Sequence, residues 1–277
     1  VALPCIITLT TDFGPGEYVS SLKGVILGIN PEAKIVDLCH TIKPQNILQA
    51  SYIISSTCTY FPENTIHLVV VDPGVGSRRK AIIVKISSTY FIAPDNGVLS
   101  NIPSLFNRRK QAKYKDDKGI VSRKKIPDNI EAVSITNLLY WNKSVSPVFH
   151  GRDIFAPVAA HLSLGLPLSN FGPGVNYINI LNNIWPYKNS DGDIIVKVVH
   201  IDNFGNIITN IKKEYIPRGR QTISIGNRKI SEINRFYAQK EGLIALIGSS
   251  GHLEISISNG NAARELGIEI GEEVLLS

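Results

Sequence analysis

Residues 5–29 read CIITLTTDFGPGEYVSSLKGVILGI. The first six, CIITLT, form the unbroken apolar and β-branched run of a strand buried on both faces. Glycine and proline then interrupt the chain. From Glu17 onward Val19, Leu22, Val25, Ile26 and Ile29 fall on one helical face. A buried strand that turns directly into an amphipathic helix opens a β-α-β unit, and the residues downstream repeat the alternation. KIVDL (34–38) reads as a strand, 46–57 as a helix with Pro62 beyond its end, and HLVVVD (67–72) as a continuous apolar strand. AIIVKI (81–86) and TYFIA (89–93) are further strands, and DIFAPVAAHLSLG (153–165) is a helix with Asp153 near its start and Gly165 at its end. Alternating strands and helices predict an α/β domain with a mostly parallel sheet covered on both faces.

The pattern changes after FGPGVNY (171–177). From about residue 193 short apolar runs alternate with Gly, Asn and Ser: DIIVKVVHID, NIITNI, QTISI, GLIALIG, HLEISIS and EEVLLS. No long amphipathic helix interrupts them, which predicts an all-β, barrel-like C-terminal domain. The expected organisation is an α/β domain over 1–185, a linker over 186–192 and a β-barrel domain over 193–277.

Composition narrows the function classes. Of 277 residues, 43% are apolar and 19% charged, an ordinary globular mix. No stretch approaches the roughly 18 apolar residues of a bilayer span, and the N-terminal residues read as a strand rather than a signal peptide. Neither a membrane nor a nucleic acid is an expected partner. The net charge of +6 is concentrated in 108–125, RRKQAKYKDDKGIVSRKK, where nine lysines and arginines face two aspartates. A local run of this kind reads as a solvated surface loop, with Tyr114 its only aromatic residue for stacking on bases. Cys5, Cys39 and Cys58 make an odd set without a C-x-x-C pair, so neither a disulfide framework nor a zinc site is expected. Cys5 and Cys39 are expected as core thiols, in a reducing, cytoplasmic setting.

The chemistry-bearing residues gather at strand ends. Asp12, in TDFG (11–14), follows the first strand, where open α/β sheets bind ligands and a carboxylate can accept both hydroxyls of a ribose; a helix-capping role is the plainer alternative. In VVDPGVGSRR (70–79) a buried strand delivers Asp72 into a tight turn followed by Arg78 and Arg79. This is a strand-ending turn with exposed arginines, or an Asp–Arg pair inside a pocket. It is not a phosphate loop, because no Gly-Lys-Ser/Thr follows. APDNGVLS (93–100) carries Asn96 in an Asn-Gly turn, and FHGRDIFAP (149–157) puts His150 and Gly151 just before a helix, beside Arg152 and Asp153, which could form a local ion pair. In IDNFGNIITN (201–210), Asp202, Phe204 and Asn206 alternate along an extended segment or a tight turn, and SSGHLEIS (249–256) and NGNAA (259–263) bring small residues and Glu254.

In order along nearly the whole chain, TDFG, VDLCH (36–40), VVDPGVG, APDNG, FHGRD, D-x-FGN-x-x-TN, SGHLEI and NGNAA make the sequence resemble the S-adenosyl-L-methionine hydroxide adenosyltransferases, relatives of the bacterial fluorinase and chlorinase. The resemblance implies an α/β domain joined to a β-barrel, a homotrimer with active sites between neighbouring subunits, and hydrolysis of S-adenosyl-L-methionine to adenosine and L-methionine without metal or other cofactor. It implies a catalytic set of Asp72, Arg79 and His150. The halogenases carry Tyr in place of Asp72, and the fluorinase carries Tyr and Ser where this chain has His150 and Gly151, so water rather than halide is the implied nucleophile. Asp12 matches a ribose-binding aspartate and Asp202 an acid on the methionine amino group. Asn206 and the backbone near Ala262 match the adenine pocket, with Phe204 and Phe236 as its apolar wall, and Ser249 matches a contact to the methionine carboxylate. Asn96, Gly151, Ser250 and Glu254 complete the expected substrate set. The segment GPGEYV is one residue shorter than the family's, Gln45 replaces a tryptophan near the ribose, and Ser250 replaces an arginine that holds the carboxylate in the halogenases.

The residue types suit the reaction. A sulfonium leaves C5′ as a neutral thioether, so the site has to supply only a nucleophile about 3 Å from the carbon and in line with the C–S bond. On this reading Arg79 stabilises hydroxide character on the water, His150 accepts or relays its proton, and Asp72 orients Arg79 and the water. A non-catalytic protein that binds S-adenosylmethionine or adenosine is the alternative from another class, and a halide-using relative the alternative within the family.

Overall fold

The computed structural model describes residues 5–103, 105, 121–182, 184–219 and 221–277. Most of the 108–125 run, including Tyr114, lies outside the described residues. The chain divides into two compact units, and Leu181 and Asn182 fall on opposite sides of the division.

The first unit holds β1 (Ile6–Thr11), α1 (Glu17–Ile29), β2 (Lys34–Cys39), α2 (Ile47–Thr57), β3 (Ile66–Val70), β4 (Ala81–Ile86), β5 (Thr89–Pro94), β6 (Val121–Lys125), β7 (Glu131–Ser134), α3 (Ala156–Ser163) and β8 (Tyr177–Leu181). Its six-stranded sheet runs β2-β1-β3-β5-β4-β7. β2, β1, β3 and β5 are mutually parallel, and β4 runs antiparallel to β5 and β7. The chain leaves β1 to one side to make β2 and crosses back to make β3, so the connections diverge at the C-terminal ends of β1 and β3. Open α/β sheets form their ligand crevices at such a switch point. Thr11 pairs with Val70, which brings Asp12 and Asp72 out of neighbouring strand ends.

One sheet face packs Ile7, Leu9, Leu68, Val70 and Ile92 against Leu22 and Ile26 of α1 and Val158 and Phe155 of the α3 segment. Val25 and Ile29 pack at the edge of this core, so the expected α1 face holds. Each fully buried Leu or Ile contributes roughly 1.5–3 kcal/mol. α2 starts at Asn46, whose side chain accepts from Gln49 N–H at 2.9 Å.

Residues of the opposite parity face the other way, and there His67 is fully buried within the apolar run of β3. Its Nδ1 lies 2.8 Å from Thr8 Oγ1, and its ring stacks on Phe91 at 5.1 Å and meets Phe61 edge-on. Burial pulls its pKa from 6.5 down to about 4. The unfolded chain therefore binds a proton on His67 between these values that the folded chain refuses. Its contribution is complete above pH 6.5 and is lost as pH falls toward 4, by about 3 kcal/mol. Urea unfolding across this window should show that loss, and His67→Phe should flatten the slope by the same amount; an unchanged slope would assign the acid sensitivity to other groups.

Several expectations are corrected. Val121–Lys125, placed in a solvated loop, is strand β6, paired antiparallel with β8. β7 and β8 have no counterpart in the sequence reading. Cys5 and Cys39 sit half-buried at strand ends rather than in the core, and Cys58 is the buried thiol; all three are free. Asp153 does not cap a helix. Gly151–Phe155 form a π-helical turn, with His150 before it and α3 after it. Gly165 does end the helix, with φ +88.

The second unit comprises β9 (Tyr187–Lys188), β10 (Ile194–Ile201), β11 (Ile207–Lys212), β12 (Ile223–Ile225), β13 (Arg228–Ile230), β14 (Ile233–Asn234), β15 (Leu243–Ile247), β16 (His252–Ile257), α4 (Ala262–Leu266) and β17 (Glu273–Leu276). These nine strands form one sheet, ordered β13-β12-β17-β10-β11-β16-β15-β14 with β9 on β10. It curls into a nearly closed barrel around Val196, Val198, Ile207, Ile223, Leu253 and Ile255. No helix among the described residues is long and apolar enough to cross a membrane.

Candidate active site

The switch point of the first unit opens into a cavity of about 410 Å³. Asp12 and Phe13 enter it from the end of β1, Asp72 and Val75 from the end of β3, Phe149 and His150 from the loop before the π-helical turn, and Gly151 from the first residue of that turn. Tyr18, Gln45, Val70 and Val148 complete much of the wall.

Arg79 lies behind Asp72 and joins two lining residues. Its Nε donates to Asp72 Oδ1 at 3.0 Å, and its Nη2 donates both to Asp72 Oδ2 and to His150 Nδ1, the latter at 3.0 Å. The Asp72 and Arg79 side chains are only 5% and 10% exposed, so solvent screens this bidentate pair weakly. The Arg79 guanidinium also lies over the Phe155 ring, 5.2 Å from its centroid. Because Nδ1 accepts from Arg79, the hydrogen-bond network assigns the proton of the neutral imidazole to Nε2. Burial, and then the Arg79 charge, hold the His150 pKa below 6.5 against the opposing pull of Asp72 and Asp153. His150 is therefore neutral at pH 7.

Two features hold the loops at this distance. Gly76 has φ +77, and a Cβ there would stand 2.6 Å from the Pro147 carbonyl oxygen, so the loop after β3 reaches the His150 segment only with glycine. Asn96 does not line the cavity. Its Nδ2 donates to the Val71 carbonyl at 2.9 Å and its Oδ1 accepts from Val98 N–H, which braces the backbone next to Asp72. Asp12 is no cap either: its Oδ2 accepts the Gln45 backbone N–H at 2.7 Å, and no side-chain hydrogen bond caps α1.

Sequence reasoning missed the apolar wall of Phe13, Val70, Val75, Val148 and Phe149. Phe149 stood beside His150 in FHGRD and Phe13 beside Asp12 in TDFG, so adjacency to a motif residue was the available signal. It also missed Gln45 as a backbone donor, held at φ +65.

The other expected substrate residues belong to the second unit. Asp202 starts a tight turn: its Oδ1 accepts N–H of Phe204 and of Asn206, each at 2.9 Å, and its Oδ2 accepts the Asn206 amide at 2.8 Å. Gly205 has φ +85, and a Cβ there would overlap the Asn261 amide at 2.1 Å, so this turn packs directly on the residues that open α4, with Ala262 buried beside them. Phe204 and Phe236 are 78% and 56% exposed. Glu254 is buried in β16, where Oε1 accepts from the Tyr237 hydroxyl at 2.5 Å and from Ser256. Burial, then Glu254, push the Tyr237 pKa up, and Asp202 adds to the shift, which places this unexpected tyrosine near the Asp202 turn. Ser249 and Ser250 occupy the turn between β15 and β16, with Ser250 Oγ 3.0 Å from His252 Nδ1. Among the described residues no group of His, Cys, Asp or Glu could hold a metal ion.

The site defines an α/β protein with a switch-point cavity that holds the Asp12 carboxylate beside a hydrogen-bonded Asp72–Arg79–His150 chain. The family is then plain: models described as the SAM hydroxide adenosyltransferase N-terminal and C-terminal domains match residues 7–172 and 196–275, and the chain belongs to this family. It is 33% identical to the (R)-S-adenosyl-L-methionine hydrolase of Methanocaldococcus jannaschii over 97% of this chain and 94% of that protein. It is 26% identical to the fluorinase of Nocardia brasiliensis over 75% of this chain and 71% of the relative. The crystal structure of an uncharacterized conserved protein from Thermotoga maritima superposes with a TM-score of 0.81 at 33% identity, over 98% and 99% of the two chains.

Proposed function

We propose that the protein hydrolyses S-adenosyl-L-methionine to adenosine and L-methionine by in-line attack of water on ribose C5′. The observation that carries this reading is that Asp72 and His150, which line the cavity that also holds Asp12, are bridged from behind by Arg79. Asp12 holds the ribose hydroxyls. The water donates a hydrogen bond to Asp72, accepts one from His150 Nε2–H, and directs its remaining lone pair at C5′. The C5′–O bond forms as the C5′–S bond breaks, the bond pair leaves with sulfur, and the water's proton passes to Asp72 and on to solvent. His150 thus orients the water, because its Nδ1 is already committed to Arg79. Arg79 fixes both partners, and its charge favours the hydroxide that develops between them.

The rest of the substrate falls to the second unit of a neighbouring subunit in a homotrimer. Asp202 and Ser249 take the methionine end, with Ser250 and Glu254 nearby. Asn206, Phe204, Phe236 and the backbone at Ala262 take the adenine. The exposed rings of Phe204 and Phe236 support this, as do the exposed Leu139 and Val148 of the first unit, since assembly or substrate would cover them. The Methanocaldococcus relative's name specifies an (R) centre in addition to the L-amino acid, which points to the sulfonium. We extend that preference to this protein.

The test is turnover of each sulfonium epimer in oxygen-18 water by protein shown to be trimeric by light scattering. Label in the adenosine 5′-hydroxyl with free methionine, faster from the (R) epimer, is expected. Binding without turnover would replace the hydrolase with a sensor, and a 5′-halogenated product in added halide would replace it with a halide-using enzyme.

A further inference from the structure

The VDLCH motif has no part in the reaction above, yet its side chains reach the backbone that carries Asp12. β2 shifts register between Leu9, which pairs with Asp37, and Thr10, which pairs with Cys39. This bulge re-aims the strand end. His40, just beyond it and 11% exposed at its side chain, touches both sides of Asp12. Its Nδ1 is 2.9 Å from Thr11 Oγ1, and Thr11 Oγ1 accepts the Phe13 N–H at 3.3 Å. Its carbonyl accepts the Gly14 N–H at 2.7 Å. On the other side of the ring, Nε2 lies 3.1 Å from Asp37 Oδ1 at ion-pair distance, outside hydrogen-bond geometry. Asp37 Oδ2 in turn holds Lys23 of α1 at 2.6 Å.

The polarity of this chain is determined by its ends. A lone pair on Nε2 would face a carboxylate, so the proton sits on Nε2 and Nδ1 accepts the Thr11 hydroxyl. Thr11 Oγ1 keeps a lone pair for Phe13 N–H. The four residues Thr11–Gly14 are thus held on both flanks of Asp12, while the Asp12 carboxylate itself is held by Gln45 N–H.

We infer that His40 is a positioning residue for substrate binding: through Nδ1 and Thr11 it sets the backbone that aims Asp12 at the ribose. This rests on the reading of Asp12 as the ribose contact. Loss of the link should weaken binding and spare the chemical step, which occurs at Asp72 and His150.

Two pairs of substitutions isolate the link. An asparagine side chain carries a polar atom where histidine has Nδ1, and a glutamine carries one where histidine has Nε2. His40→Asn therefore keeps the Thr11 contact and His40→Gln keeps only the Asp37 contact. Thr11→Ser keeps Oγ1 and Thr11→Val removes it at equal volume. KM and kcat for S-adenosylmethionine would be measured for all four and for Asp12→Asn, with thermal melting as the fold check. The expected result is a KM raised about tenfold in His40→Gln and Thr11→Val with kcat within about threefold, and near-normal values in His40→Asn and Thr11→Ser. A substrate that lacks both the 2′- and 3′-hydroxyls should erase the difference between Thr11→Val and the parent protein. If Asp12→Asn raises KM while His40→Gln and Thr11→Val do not, the link is overturned and the ribose contact stands. If Asp12→Asn leaves KM unchanged, the ribose reading itself fails. If His40→Asn is as impaired as His40→Gln, retaining the Thr11 contact does not restore binding, the whole ring matters rather than its Nδ1 link, and the inference is wrong.

Discussion

Arg79→Lys should lower kcat by about 10²- to 10³-fold with KM within about threefold, although charge is conserved. The guanidinium gives two parallel bonds to Asp72 and a third to His150 Nδ1, all from one plane. An ammonium is a point donor that can hold either the carboxylate or the imidazole, not both at these positions. The freed group then rotates, and the water loses its acceptor or its donor. Asp72→Asn should cost about 10³-fold in kcat, because it removes the charge that pairs with Arg79 and the acceptor for the water's proton; that is about 4 kcal/mol of transition-state stabilisation. The double variant should be little worse than Asp72→Asn alone, since the three residues act as a unit. Acid gives an independent check. Protonation of His150 would put a proton on Nδ1 opposite Arg79, so kcat/KM should be flat above pH 6.5 and fall below it, in step with the depressed His150 pKa. Steady-state kinetics of the three variants decide it: Arg79→Lys within threefold of the parent kcat would show that the bridging geometry is irrelevant.

What the sequence disclosed follows from how local the determinant was. β1 and α1 were legible because strand and helix periods stand side by side in 25 residues with glycine between them. Asp72 was legible as a strand-end residue, since β3 is an unbroken apolar run that ends in Asp-Pro-Gly. The π-helical turn at Gly151–Phe155 was not, because its cause is remote: Asp153 faces Asn142 and Ser146, and residues 151–155 alone look like ordinary helix. β6 was hidden by its charges. A strand in a two-stranded ribbon keeps one face in water, so Arg123 and Lys125 are tolerated, and the apolar signal that marks a core strand is absent. The Asp12 environment was legible only in part, for the same reason. Its carboxylate partner is a backbone N–H, which leaves no residue signature, and Thr11 meets a histidine 29 residues away only because of the bulge in β2.

Asp153 should prove the strongest stability determinant near the site. Its side chain is 1% exposed and accepts from Asn142 Nδ2 at 3.0 Å, Ser146 N–H at 2.9 Å, and Arg152 Nε and Nη2 at 2.7 and 2.9 Å. These bonds fasten both ends of the loop that closes on His150. Asp153→Ala takes the acceptor from the half-buried Ser146 amide and one of two acceptors from the Asn142 side chain, which keeps the Arg152 carbonyl, at about 2 kcal/mol together; for a unit of this size that lowers Tm by roughly 6 °C. Arg152→Ala should cost about 1 kcal/mol or less, because the Arg152 side chain is 38% exposed, water replaces its bonds, and Asp153 keeps its two other partners. The linkage sign agrees with this order. The bonds from Arg152, Ser146 and Asn142 outweigh the burial penalty and hold the Asp153 carboxyl below 3.8. Its contribution is therefore full above pH 3.8 and is lost as pH falls through the lowered folded value. Activity should follow stability in Asp153→Ala, since a released 142–150 loop withdraws His150 Nδ1 from Arg79 while Asp72 and Arg79 stay paired. Thermal melts and kcat for the two variants measure this directly. Equal Tm losses in Asp153→Ala and Arg152→Ala would mean that the ion pair itself, rather than the buried carboxylate's bonds to Asn142 and Ser146, holds the loop against the Asp72–Arg79 pair.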